Sequence, residues 1–156
     1  MAGFGYELTN LSVQNVLDCS IAQSGCKGAH WSMSTKLVMS ESSYPYEAAD
    51  GKCRYNESQT AFWVTGFYYF DPVEQLMMDA INQLGPLAAV IDASGPFQHY
   101  KSGLYYNEDC RNEPYSGHHS VLVVGYGTDK TIEDGDYWIV VSIAPRTPAG
   151  ISFSSS

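Results

Sequence analysis

Positive charge is scarce in this chain. Eight Lys and Arg stand against 17 Asp and Glu, for a net charge of −9. That balance removes the phosphate-neutralising surface that nucleic acid or an anionic membrane would need, so neither is expected as a partner. Long apolar runs are lacking too: no window reaches the ~20 residues of a spanning helix, so no membrane span is expected. After Met1 the sequence AGFGYELTN has no basic start, apolar stretch or cleavage site, and no signal peptide is visible. C-x-x-C spacing is absent as well. Cys19, Cys26, Cys53 and Cys110 do not fit a structural zinc site, and neither a metal nor a cofactor is expected. No repeat occurs, and the one low-complexity stretch is the terminal SFSSS.

What is present is enough for a packed domain. The 156 residues are 44% hydrophobic and 13% aromatic, with 12 Tyr, 6 Phe and 3 Trp. Four cysteines in an acidic, tyrosine-rich chain fit an oxidising compartment. Asn10-Leu11-Ser12 and Asn56-Glu57-Ser58 match the glycosylation acceptor pattern, which belongs to the same setting. The unmarked start does not, and the expectation is that a beginning is missing.

Periodicity places the elements. Residues 12–20, SVQNVLDCS, predict a short helix with Ser12 as N-cap and Val16 and Leu17 facing inward. Residues 20–60 are punctuated by Gly, Ser and Pro and read as loops, with one short helix near residues 33–39. DPVEQLMMDAINQLGP is the clearest helix. Asp71 is the expected cap, Pro72 the first helical residue, and Glu74 completes a capping box. Val73, Leu76, Met77, Ala80, Ile81 and Leu84 form its apolar stripe, and Gly85-Pro86 ends it. Strand-type runs follow at 87–91, 120–126 and 137–141, and an earlier one, AFWVTGFYYF, precedes the helix. The acidic stretch TDKTIEDGD lacks the alternating ligands of a calcium loop and reads as a hairpin connection. The fold class is α+β.

Six blocks, in order, carry a resemblance: LSVQNVLDCS, SGCKG, SESSYPYEAADGKCRYN, GPLAAVIDASGPFQHYKSGLYYNEDC, HHSVLVVGYGT and DGDYWIV. Together they resemble the papain family of cysteine proteases, on the cathepsin L-like side, over about residues 11–141. The resemblance implies an incomplete papain-like fold, truncated at both ends. Residues 1–59 would be a remnant of the helical half, 60–142 the antiparallel β-barrel half, and 143–156 a disordered tail, since that tail has no strand period and carries Pro145 and Pro148. It also implies peptide or protein substrates and a lysosomal or extracellular location.

In that family a cysteine thiolate attacks the peptide carbonyl, a histidine pairs with it, an asparagine orients the imidazole and a glutamine binds the oxyanion. The match puts the histidine on His119, with His118 as a solvent-facing neighbour. The asparagine position falls on Ser142, a degenerate replacement whose hydroxyl is expected to be too short to hold the ring. The nucleophile lies ~130–150 residues before the histidine in such enzymes, which passes Met1. None of the four cysteines has a Cys-Trp neighbourhood. Cys26, with Lys27 beside it, falls instead in the segment where Gly25, Gly28, Ala29 and Trp31 correspond to the substrate groove. By resemblance Cys19 pairs with Cys53, leaving Cys26 and Cys110 as orphan thiols. The expectation is a cysteine-peptidase homologue that is inactive as an isolated chain. The alternatives are a decoy or interaction module that binds protease inhibitors or prosegments, and a gene-model fragment.

Overall fold

The structure, a computed structural model, describes residues 8–20, 37–107, 109, 119–131 and 135–142, and the backbone of residues 149–151. The chain divides into two units, Met1–Tyr68 and Tyr69–Ser156.

The first unit is built around helix α1, Val13–Cys19, capped by Ser12, whose hydroxyl accepts from the Asn15 amide. The expected inward face of this helix is corrected. Val16 is 41% exposed and Val13 59%, whereas Gln14 and Asn15 are fully buried. The reason is hydrogen bonding. Gln14 Nε2 donates to the Ala49 carbonyl at 2.7 Å, and its Oε1 accepts from the Glu47 amide at 2.9 Å. Between those two anchors Ala48 adopts φ 56°, the left-handed conformation unfavourable to any side chain. Asn15 Oδ1 accepts from the Met39 amide at 2.9 Å, and Ser12 Oγ donates to the Tyr44 carbonyl. Apolar side chains at positions 14 and 15 would leave these buried backbone groups unpaired, although Asn15 leaves its own Nδ2 without a partner among the described residues.

Residues 37–39, where sequence reasoning expects a helix, form strand β1, Leu37–Met39. It pairs antiparallel with β2, Thr60–Trp63, from Leu37 opposite Trp63 to Met39 opposite Thr60. The Met39 amide is taken by Asn15, and a β-branched Val38 suits a pleated strand. Since β2 pairs with β1, the first unit extends past residue 59. Val38, Met39 and Tyr44 are its buried apolar residues.

The second unit carries helix α2, Glu74–Leu84. The capping box does not form. The Val73 amide bonds back to the Asp71 carbonyl at 2.7 Å, so the turn uses up Asp71 and Pro72 outside the helix. Val73 becomes an N-cap without a side-chain bond, and Glu74 opens the helix instead of reaching back to it. Gly85, at φ 100°, ends it as expected. Of the expected stripe, Met77, Ala80 and Ile81 pack inward with Met78, while Val73, Leu76 and Leu84 are exposed.

The sheet has the order β3-β5-β6-β7-β4, with β3 Leu87–Ile91, β4 Leu104–Tyr105, β5 His119–Thr128, β6 Asp136–Val141 and β7 Ala149–Ile151. All pairs are antiparallel except β4 with β7. Strand β7 lies within the stretch read as a disordered tail. Its three residues are held by backbone pairing to β6 and β4, which asks for no hydrophobic period in the sequence. Ile91, Val121, Val123, Trp138 and Val140 form the core, alternating with exposed residues along each strand. Phe97 and Tyr100, both ahead of β4 in the chain, meet Tyr105 edge to face at 5.2 and 5.9 Å.

The Gly-Tyr-Gly at the end of β5 has a packing explanation. The β5–β6 register shifts between Val123 and Gly125, so Gly127 stands opposite Tyr137. A Cβ on Gly127 would lie 2.7 Å from the hydroxyl end of the Tyr137 ring, so a larger residue there would require that ring to move aside. The intervening Tyr126 packs edge to face on Trp138 at 5.9 Å. The acidic stretch does connect β5 to β6 as a hairpin, with Thr128 Oγ1 donating to Asp136 at 2.6 Å.

Candidate active site

His119 is the first residue of β5 and stands opposite Ile91, the last residue of β3. On the other side of β5, pairing with β6 ends at Leu122 opposite Val141, and Ser142 follows directly. Three strand ends thus bring a histidine and a serine to the same end of the sheet. The Nε2 of His119 lies 2.7 Å from the Oγ of Ser142, a full hydrogen bond, and both residues are half-buried.

This corrects the expectation that the Ser142 hydroxyl is too short to hold the ring. The imidazole supplies the length. Ser142 follows Val141, whose partner on β5 is Leu122, so the hydroxyl lies beside the strand that carries His119 and within reach of its ring. Either atom is able to donate, depending on the tautomer of the ring. If Nε2 is unprotonated, Ser142 donates; if it carries the proton, Ser142 accepts as an asparagine oxygen would.

The other site residues from the sequence divide in two. The Cys19–Cys53 disulfide is formed, with Cα atoms 4.7 Å apart across 34 residues of chain. Gly25, Cys26, Gly28, Ala29, Trp31, Cys110 and His118 lie outside the described residues. Among the described residues no three His, Cys, Asp or Glu side chains gather as a metal-ligand set.

Sequence reasoning missed a polar cluster in the first unit. Asp18 accepts from Tyr44 at 2.7 Å, from Gln14 at 2.8 Å and from the Gly51 amide at 2.9 Å. Burial pushes its carboxyl up, but those three hydrogen bonds and the Arg54 charge outweigh it, leaving it below the usual carboxylate range. Arg54 lies over the Tyr44 ring at 4.7 Å and pairs with Glu47. The available signal was the i, i+4 placement of Gln14 and Asp18 on one helix face.

A papain family cysteine protease profile matches residues 3–142. The chain belongs to the papain family. Mouse cathepsin J is 39% identical over 143 residues, covering 85% of this chain and 42% of its own length. Rat procathepsin L is 39% identical over 144 residues, covering 86% of this chain and 42% of its own. The chain thus spans less than half the length of these curated relatives. Among solved structures, the digestive procathepsin L2 proteinase of Tenebrio molitor superposes with a TM-score of 0.83 at 32% identity, over 97% of this chain and 50% of that one. Bromelain from Ananas comosus, in complex with the E64 inhibitor, gives 0.77 at 35% identity, over 96% and 72%. The α+β arrangement of this chain is therefore a papain-like fold, incomplete relative to those proteins, and no helix among its described residues is long and apolar enough to cross a membrane.

Proposed function

We propose that this chain derives from a cysteine-type endopeptidase acting on peptide or protein substrates, and that the isolated 156-residue polypeptide does not hydrolyse peptide bonds by thiolate attack. His119 occupies the base position in this reading, and Ser142 the position of the residue that orients it. The observation that carries it is the 2.7 Å contact between them inside the stretch that matches the family. A base and its positioning partner give no thiolate attack without a thiol to deprotonate. Of the four cysteines, Cys19 and Cys53 are consumed in a disulfide, and neither Cys26 nor Cys110 has the sequence setting of a nucleophile. Gly25, Gly28, Ala29 and Trp31 belong to the substrate-groove segment by resemblance. The disulfide supports a lysosomal or secreted location.

The test is incubation of the purified chain with a fluorogenic peptide and with E64. Neither turnover nor covalent labelling is the expected result. Peptide turnover blocked by E64, with the label on Cys26 or Cys110, would overturn the proposal. Reversible binding of a protease inhibitor or prosegment without labelling would favour a decoy instead.

A further inference from the structure

We propose that Ser142 and His119 form a nucleophile–base pair that takes acyl groups from activated aryl esters through an acyl-Ser142 intermediate. The inference needs no thiol and stands apart from the cysteine chemistry above. Its basis is the 2.7 Å separation of Ser142 Oγ and His119 Nε2, the geometry in which an imidazole removes a hydroxyl proton. Both residues are half-buried at one end of the sheet, neither of them fully enclosed. The ring is placed by the β3–β5 ladder, with His119 opposite Ile91, and the hydroxyl by the end of β6. His119 thus sits in a strand ladder and Ser142 is the first residue past one, so strand pairing sets the distance between them.

The steps balance without a redox partner. With the ring proton on Nδ1, Ser142 Oγ attacks the ester carbonyl and its proton passes to Nε2. The carbon–oxygen bond to the aryl oxygen breaks, the phenolate leaves, and an acyl-serine remains. The imidazolium then loses the serine proton to solvent; water attacks the acyl-serine and gives a proton to the neutral Nε2, which passes it to Ser142 Oγ as the acid departs. The substrate class follows from what a pair supplies. It provides a nucleophile and a base but no oxyanion donors, each of which is worth about 10²–10³ in rate. A leaving group that departs unaided is therefore required, so the substrate is an aryl ester and not an amide.

The test uses p-nitrophenyl acetate with the full chain against a matched concentration of free imidazole. The expected result is phenolate release above that control, with one acetyl group mapped by mass spectrometry to Ser142. S142A and H119Q should each lower kcat/KM by about a hundredfold. S142C keeps a nucleophile at the same place, so it should retain turnover and lose it on treatment with iodoacetamide, whereas the parent chain, alkylated at Cys26 and Cys110, should keep its turnover. This arm decides the matter if S142A fails to fold. Acetyl on His119 or a lysine, an undiminished rate in S142A, or no release above free imidazole would each overturn the proposal.

Discussion

Gly51 and Asp18 sit closer than any other residue type at position 51 would allow. The Gly51 amide donates to Asp18 Oδ1 at 2.9 Å, and a Cβ on Gly51 would stand 2.9 Å from Oδ2. Asp18 has little freedom to retreat, because Tyr44 and Gln14 hold it from two other directions. Gly51→Ala should therefore lower the stability of the first unit by about 1–2 kcal/mol, the usual range for overpacking. Urea denaturation compared between parent and variant checks this, and a shift in midpoint below measurement error would refute it.

The same carboxylate makes the first unit sensitive to acid. Asp18 titrates lower in the folded state than its ordinary value of about 3.9. Its contribution is complete above that value and vanishes as pH falls through the folded value. Asp18→Asn should cost about 1 kcal/mol at neutral pH, and the gap from the parent should close below about pH 4. Thermal melts across that range give the answer; a gap independent of pH would count against the network.

Gln14 bridges two backbone groups that have no apolar substitute. Gln14→Leu keeps the volume but leaves the Glu47 amide and the Ala49 carbonyl without their partner. A loss of about 2–3 kcal/mol is expected from the unpaired polar groups. Hydrogen exchange should accelerate more at the Glu47 amide than at other amides of the first unit, whereas a general loss of stability would raise them together.

Thiol counting tests the cysteine assignment. Of four cysteines two form the Cys19–Cys53 bridge, so an unreduced, denatured monomer should present two reactive thiols, those of Cys26 and Cys110. Reduction of the bridge should then destabilise the first unit by about 2–4 kcal/mol. Fewer than two titratable thiols would place Cys26 or Cys110 in a second covalent link.

Strands and helix ends were legible where local chemistry decided them. Ser12 caps α1, Gly85 ends α2, and Leu87–Ile91 is the strand that its apolar run indicates. The failures share a cause. Val16 was expected inside because apolar residues bury, yet the loop opposite α1 presents amides and carbonyls that only Gln14 and Asn15 satisfy. Residues 37–39 carry no signal that their amides are taken by a helix side chain and by β2. At position 71 the capping residues are all present, but the tight turn through Pro72 displaces the helix start.

Family membership was determined by sequence alone, because ordered blocks of residues survive independently of how they pack. Whether Ser142 reaches His119 was decided only by tertiary structure. Their sequence separation of 23 says nothing about distance until β5 and β6 pair and bring both side chains to one end of the sheet. Backbone ladders fix that proximity, and a ladder's register is a property of two strands together, never of one read alone.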